Sequence, residues 1–158
     1  MGTPQDQVFG GGNAYIPKGP RDLYGYPFEF SALAPGGQQS TQITIEQDGD
    51  FFWTAINYTA TVAAQATPYQ DQTRIIPQVK IQLVDQASGR NLFFGPIPLG
   101  SIGGTGDRPG RLIHPRRIQR SGTLVMQLTS FDTSTTYSLL TVSLLGFKVY
   151  ASNVQVGQ

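Results

Sequence analysis

From Thr41 onward, apolar and polar residues alternate with a period of two, the mark of half-buried strands. Thr41–Gln47 alternates cleanly, Asp48-Gly49-Asp50 supplies a turn, and Phe51–Val62 continues as a long strand with aromatics on both faces. The three together predict a β-hairpin. Ala63–Thr73, small, polar and holding Pro68, predicts a loop. Pro77–Asp85 is a strand with Val79, Ile81 and Leu83 on one face, and Gln86–Arg90 turns it into Asn91–Phe94. Pro96 and Pro98 place Ile97–Leu99 at an edge or in a loop. After a glycine-rich excursion over Gly100–Gly110, strands resume at Arg111–Ile118, Thr123–Phe131 and Tyr137–Tyr150, the last with a bulge expected at Gly146. No stretch has the 3.6-residue apolar period of a helix of any length. Several strands, such as the one holding Leu139, Leu140, Val142, Leu144 and Leu145, are apolar on both faces. A single sheet with one wet face does not need that. The pattern predicts an all-β chain of about eight strands, a two-sheet β-sandwich or jelly roll whose outer face a neighbouring subunit could cover.

The first forty residues follow another rule. Eight glycines and five prolines fall among them, a density that breaks helices and continuous ladders. Between these breakers stand Phe9, Tyr15, Tyr24, Tyr26, Phe28 and Phe30. Flexible linkers carry few aromatics, whereas an extended segment that docks on another surface needs them as anchors. The chain is therefore divided into a docking arm over residues 1–30, a sandwich domain over 31–150 and a C-terminal tail over 151–158. The competing reading for Leu23–Phe30 is an edge strand packed on its own domain, since its aromatics alternate with Gly25, Pro27 and Glu29.

Composition narrows the chemistry. Of 158 residues only 13% are charged, about half the usual ~25%. There is no cysteine and a single histidine, so disulfide scaffolds, cysteine nucleophiles and multi-histidine metal centres are excluded. No secretory signal and no membrane-length apolar run is expected in the sequence, which predicts synthesis in a cytoplasm and no membrane partner.

The net charge of +1 conceals one concentration. Asp107–Arg120 carries Arg108, Arg111, Arg116, Arg117 and Arg120 against Asp107, a local balance of +4 that leaves −3 for the rest. Arginine grips phosphate, but it is also the charged residue most enriched in protein interfaces. With no lysine and no interleaved aromatic for base stacking, the segment favours a subunit contact over nucleic acid. The remaining candidates have simpler accounts. Gly103–Gly110 lacks the Lys-Ser/Thr pair and following helix of a phosphate loop and is expected to be a tight turn with positive φ. Glu46, Asp48 and Asp50 could contribute to a calcium site, but a hairpin turn explains Asp-Gly without metal. His114 has no nucleophile or orienting acid in a recognisable motif. Trp53 is expected in a core or interface rather than as a sugar platform. No catalytic residue, metal or cofactor is assigned.

Phe51-Phe52-Trp53, the run from Arg74 to Arg90, Pro96-Ile97-Pro98-Leu99, Gly104-Thr105-Gly106, Pro115 and the closing Leu144–Tyr150 together resemble the small cement or decoration proteins of tailed-bacteriophage capsids. The likeness covers residues 23 to 150 and lies in strands and turns, with no active-site signature. It implies a non-enzymatic β-sandwich on the outside of the phage head. Its partners would be the major capsid protein and further copies of itself, as a dimer or trimer. Two alternatives have the same strand content: a phage tail, baseplate or neck component, and a carbohydrate-binding β-sandwich, which would need an exposed aromatic platform around Trp53.

Overall fold

A computed structural model describes residues 21–63, 75–93, 95–105 and 107–150. Among the described residues the fold is all-β apart from one turn of helix. Nine strands run in the order β1 (Arg21–Leu33), β2 (Gln38–Thr44), β3 (Gly49–Val62), β4 (Val79–Asp85), β5 (Arg90–Asn91), β6 (Ile97–Pro98), β7 (Gly110–Ile118), β8 (Thr123–Ser130) and β9 (Tyr137–Tyr150), with α1 (Leu99–Ile102) between β6 and β7. They form two antiparallel sheets. The first has the order β1-β9-β3-β7; the second has β2-β8-β4-β5, with β6 also paired to β4. The sandwich expected from the two-faced apolar strands is present.

The core lies between the sheets. Phe28, Phe30, Phe51, Trp53, Ile56, Leu140, Val142 and Leu144 point inward from the first sheet and meet Val79, Ile81, Leu83, Leu124, Met126 and Leu128 from the second. Each such side chain contributes about 1.5–3 kcal/mol on burial.

Several expectations need correction. The predicted hairpin between Thr41–Gln47 and Phe51–Val62 does not form. β2 pairs with β8 in the second sheet, while β3 pairs with β9 and β7 in the first. The connection crosses the sandwich instead, with Ile45 buried beneath it and the Glu46 and Asp48 carboxylates bound to Lys148 of β9. A hairpin turn and a sheet-to-sheet corner share the same Asp-Gly chemistry, so only the pairing partners distinguish them.

Tyr24, Tyr26, Phe28 and Phe30 do not belong to a free arm. They lie in β1, an edge strand bonded to β9 from Arg21↔Val149 to Leu33↔Tyr137. Tyr26, Phe28 and Phe30 are buried, while Gly25, Pro27 and Glu29 face out. Pro27 is tolerated because an edge strand has a neighbour on one side only. The self-packing reading therefore holds for Leu23–Phe30. Phe9, Tyr15 and the rest of residues 1–20 lie outside the described residues, as does the tail over 151–158.

The bulge falls opposite the expected position. Trp53 pairs with Gly146 and Ala55 with Leu145, so the extra residue is Thr54 on β3 rather than one on β9. Gly146 has a different reason to be glycine: a Cβ there would lie 1.9 Å from the Phe52 carbonyl oxygen. Close approach also governs the excursion before β7. Gly104 pairs with Asn57, and a Cβ on it would meet the Arg108 carbonyl at 1.9 Å; among the described residues the glycines with positive φ are Gly36 and Gly89, and Gly103, Gly104 and Gly110 have none.

Candidate docking surface

The arginine segment is set by β7. Among the described residues this strand is an edge of the first sheet, with β3 on one side. Its ladder with β3 is interrupted: Arg116 pairs with Trp53 and Arg111 with Ala55, so the four residues from Leu112 to Pro115 span a gap that β3 covers with Thr54 alone. They bow out from the sheet. Ile113 is 91% exposed at the crest of the bow. Beneath it lies a groove of about 740 Å³, walled by Trp53, Leu92, Phe93 and Leu112 and flanked by Arg111, Arg116 and Arg117. Two further hollows adjoin it, one of about 350 Å³ toward Ile102 and Gly110, the other of about 370 Å³ toward Asp85 and Gln119.

Trp53 floors the groove as a buried ring, its Nε1 donating to the Ala55 carbonyl at 2.7 Å and Phe93 lying edge-on at 6.1 Å. It is no exposed platform, so the carbohydrate alternative loses the feature it required. His114 lies on the exposed side of the bow.

All five predicted arginines are exposed. Arg116 Nη1 donates to the Leu92 carbonyl at 2.7 Å, closing β7 of the first sheet onto the β5–β6 connection of the second. Arg117 pairs with Asp50 at 2.6 Å, and the Arg120 backbone N–H donates to the same carboxylate at 2.9 Å. The side chains of Arg108 and Arg111 make no ion pair or hydrogen bond among the described residues. Thus Arg111, Arg116 and Arg117 are brought to one groove, while Arg108 and Arg120 lie on the loops that enter and leave β7.

The groove continues onto the outer face of the first sheet. Register places Leu23, Phe147, Phe52 and Arg117 in one row across all four strands. Leu23 is 90% exposed, Phe147 is half-buried and stacks on Phe52 at 5.2 Å, and the Arg21 guanidinium lies over Phe147 at 5.4 Å. An apolar centre rimmed by arginine is the usual anatomy of a protein interface.

A second polar cluster buttresses this end of the sheet, and the sequence reading did not assign it. Lys148, 1% exposed, donates to Glu46 at 2.8 Å and Asp48 at 2.5 Å, with its ammonium 4.6 Å from the Tyr24 ring centroid. Tyr24 donates to Glu46 Oε1 at 2.9 Å, and Tyr26 donates to Oε2. The Lys148 ammonium, then the Tyr26 hydroxyl, hold the Glu46 carboxyl down at about 2. Burial alone would lower the Lys148 pKa, but its bonds to Asp48 and Glu46 outweigh that and raise it. Burial, then Glu46, raises Tyr26. The three carboxylates weighed as calcium ligands are thus committed to cations of the chain itself: Glu46 and Asp48 to Lys148, Asp50 to Arg117.

No protein-family model matches the chain, and no curated protein matches it. Solved structures that match include that of dimeric latent PorU from Porphyromonas gingivalis, 11% identical, with a TM-score of 0.27. The match covers 79% of this chain but only 13% of the PorU chain, and a likeness that low carries no argument.

Proposed function

We propose that the protein is a non-enzymatic virion component that binds the outside of a tailed-phage head and cements neighbouring capsid subunits. The observation that carries this reading is the single continuous surface formed by the Leu23–Phe147–Phe52–Arg117 row and the arginine-flanked groove of β7. Exposed Leu23 and Ile113, a partly buried Phe147 between them and arginine at the rim suit attachment to a protein surface.

Two further observations support it. Residues 23 to 150 resemble capsid cement proteins in their strands and turns. Consecutive strands from β1 to β4, and again from β7 to β9, cross from one sheet to the other, which is the winding of a jelly roll, an architecture used in viral capsids. That second support is analogy at the level of fold, and the surface carries the weight. On a lattice of identical capsomers, modest affinity per copy suffices, because each attachment site is repeated many times and copies that also touch one another gain avidity.

Co-sedimentation with purified DNA-free heads tests the reading. The full-length protein is expected to pellet with heads and to saturate at a fixed ratio to capsid protein. Pelleting only with tails, or with neither, would overturn it.

A further inference from the structure

The three hollows along β7 share walls, Arg116 and Arg117 between one pair and Arg111 and Leu112 between the other, and together they form a trough that follows the strand from Gly110 to Gln119. From Gly110 opposite Ile56 to Ile118 opposite Phe51, β7 spans five steps of β3, about 17 Å at roughly 3.3 Å per residue, the length of an extended segment of five or six residues. A rounded ligand would leave most of it empty.

Charge selects the occupant. Arg90, Arg111, Arg116 and Arg117 line the trough, where Asp85 is the one lining acid; Arg117 is already paired with Asp50, which leaves three arginines against Asp85. That carboxylate is already held by the Ala87 N–H at 3.1 Å and the Ser88 hydroxyl at 2.8 Å. A second copy pairing β7 against β7 would bring arginines toward arginines, which discourages edge-to-edge pairing between copies. The chain's own ends do not fit either. Residues 1–20 hold one acid, Asp6, offset by Lys18, and residues 151–158 carry no charged side chain. Nucleic acid is the remaining polyanion, but Leu92 and Leu112 offer no ring for base stacking and the Trp53 ring is buried, whereas the strand edge offers main-chain pairing that only a polypeptide can use.

We infer that the β7 trough receives an extended acidic segment of a partner protein, with an apolar side chain in the hollow formed by Trp53, Phe93 and Leu112 and its carboxylates on Arg111 and Arg116. Bidentate arginine–carboxylate pairs fix the segment's register, and the apolar anchor supplies burial. The inference rests on the docking reading only for the source of that segment, which would be a capsid subunit.

Trp53 is the only tryptophan in the chain, so its emission reports occupancy directly. The full-length protein is titrated with a capped six-residue peptide alternating Glu with Phe and Val, with the same peptide carrying Lys in place of Glu, and with an oligothymidylate. The acidic peptide is expected to give a saturable change, weakened by salt, at affinity at least about ten-fold above the Lys peptide. Arg111→Glu, at an exposed side chain with no hydrogen bond or ion pair among the described residues, is expected to abolish that preference with the melting temperature unchanged. No saturable signal, equal binding of the two peptides, or tighter binding of the oligonucleotide would overturn the inference. Head binding separates the two levels. Heads bound without peptide binding would reject the trough alone, whereas peptide bound without head binding would reject the capsid as its source.

Discussion

Lys148 Nζ, on the last strand and almost wholly buried, meets the Glu46 carboxylate at 2.8 Å across 102 positions of sequence. The contact ties the corner where the chain changes sheets to the strand at the centre of the first sheet. It also braces β1 through Tyr24 and Tyr26, and so supports the end of the sheet that presents Leu23 and Phe147.

The two sides of this cluster are not equivalent. Glu46 and Asp48 are about half exposed and keep their hydration, whereas the ammonium is enclosed. Lys148→Met is expected to cost no more than about 1–2 kcal/mol, since an apolar side chain of similar length fills the site. Glu46→Ala combined with Asp48→Ala strands a buried cation and is expected to cost about 3–5 kcal/mol. Urea unfolding of both variants checks the asymmetry.

Acid sensitivity follows from the same carboxylate. Glu46 titrates at about 2 in the folded protein against an ordinary 4.5. Asp132, held by the backbone N–H groups of Ser134 and Thr135, also titrates at about 2 against 3.8. A lowered folded pKa means that the unfolded chain takes up protons first. The stabilisation is complete above pH 4.5 and is lost as pH falls toward 2. Melting temperature should decline across that window, and Glu46→Gln should make the decline shallower.

β1 belongs to the core, so Phe28→Ala is expected to cost about 3–5 kcal/mol in chemical unfolding. Removal of residues 1–20 is expected to leave a cooperative unfolding transition, because a core running from Tyr26 to Leu144 already fills the space between the two sheets. A docking arm extending to Phe30 would give the reverse: a tolerated Phe28→Ala.

Gly146→Ala must part β3 from β9, since the new methyl would sit 1.9 Å from the Phe52 carbonyl. The expected cost is about 3 kcal/mol. Gly95, where a Cβ would meet nothing within 4 Å, serves as the control, with Gly95→Ala expected within about 0.5 kcal/mol.

Strand identity and the two-layer sandwich were legible because period-two alternation records which faces are buried. Pairing was not. β2 and β3 read as a hairpin because proximity in sequence is the only cue to partnership that alternation offers. The aromatic run from Tyr24 to Phe30 looked adhesive, and it is, but toward its own core. Gly and Pro density measures broken ladders and does not distinguish an arm from an edge strand. Lys148 could have been found, since it falls in phase with the inward positions Val142 and Leu144, and a lysine in that phase demands an acid partner. Grouping of the arginines was visible, whereas the groove depended on the bow between Arg111 and Arg116, which only the β3 register reveals. The Leu23–Phe147–Phe52–Arg117 row likewise joins four segments that no local pattern links.

Imaging of DNA-free heads by electron cryo-microscopy, after incubation with the wild-type chain or with an Arg111→Glu, Arg116→Glu variant, tests the docking claim most directly. The account predicts ordered density on the outer surface at symmetry-related positions, with the β7 edge turned to the capsid, and bare heads for the variant. Bare heads with the wild-type chain, or equal decoration by both, would contradict it.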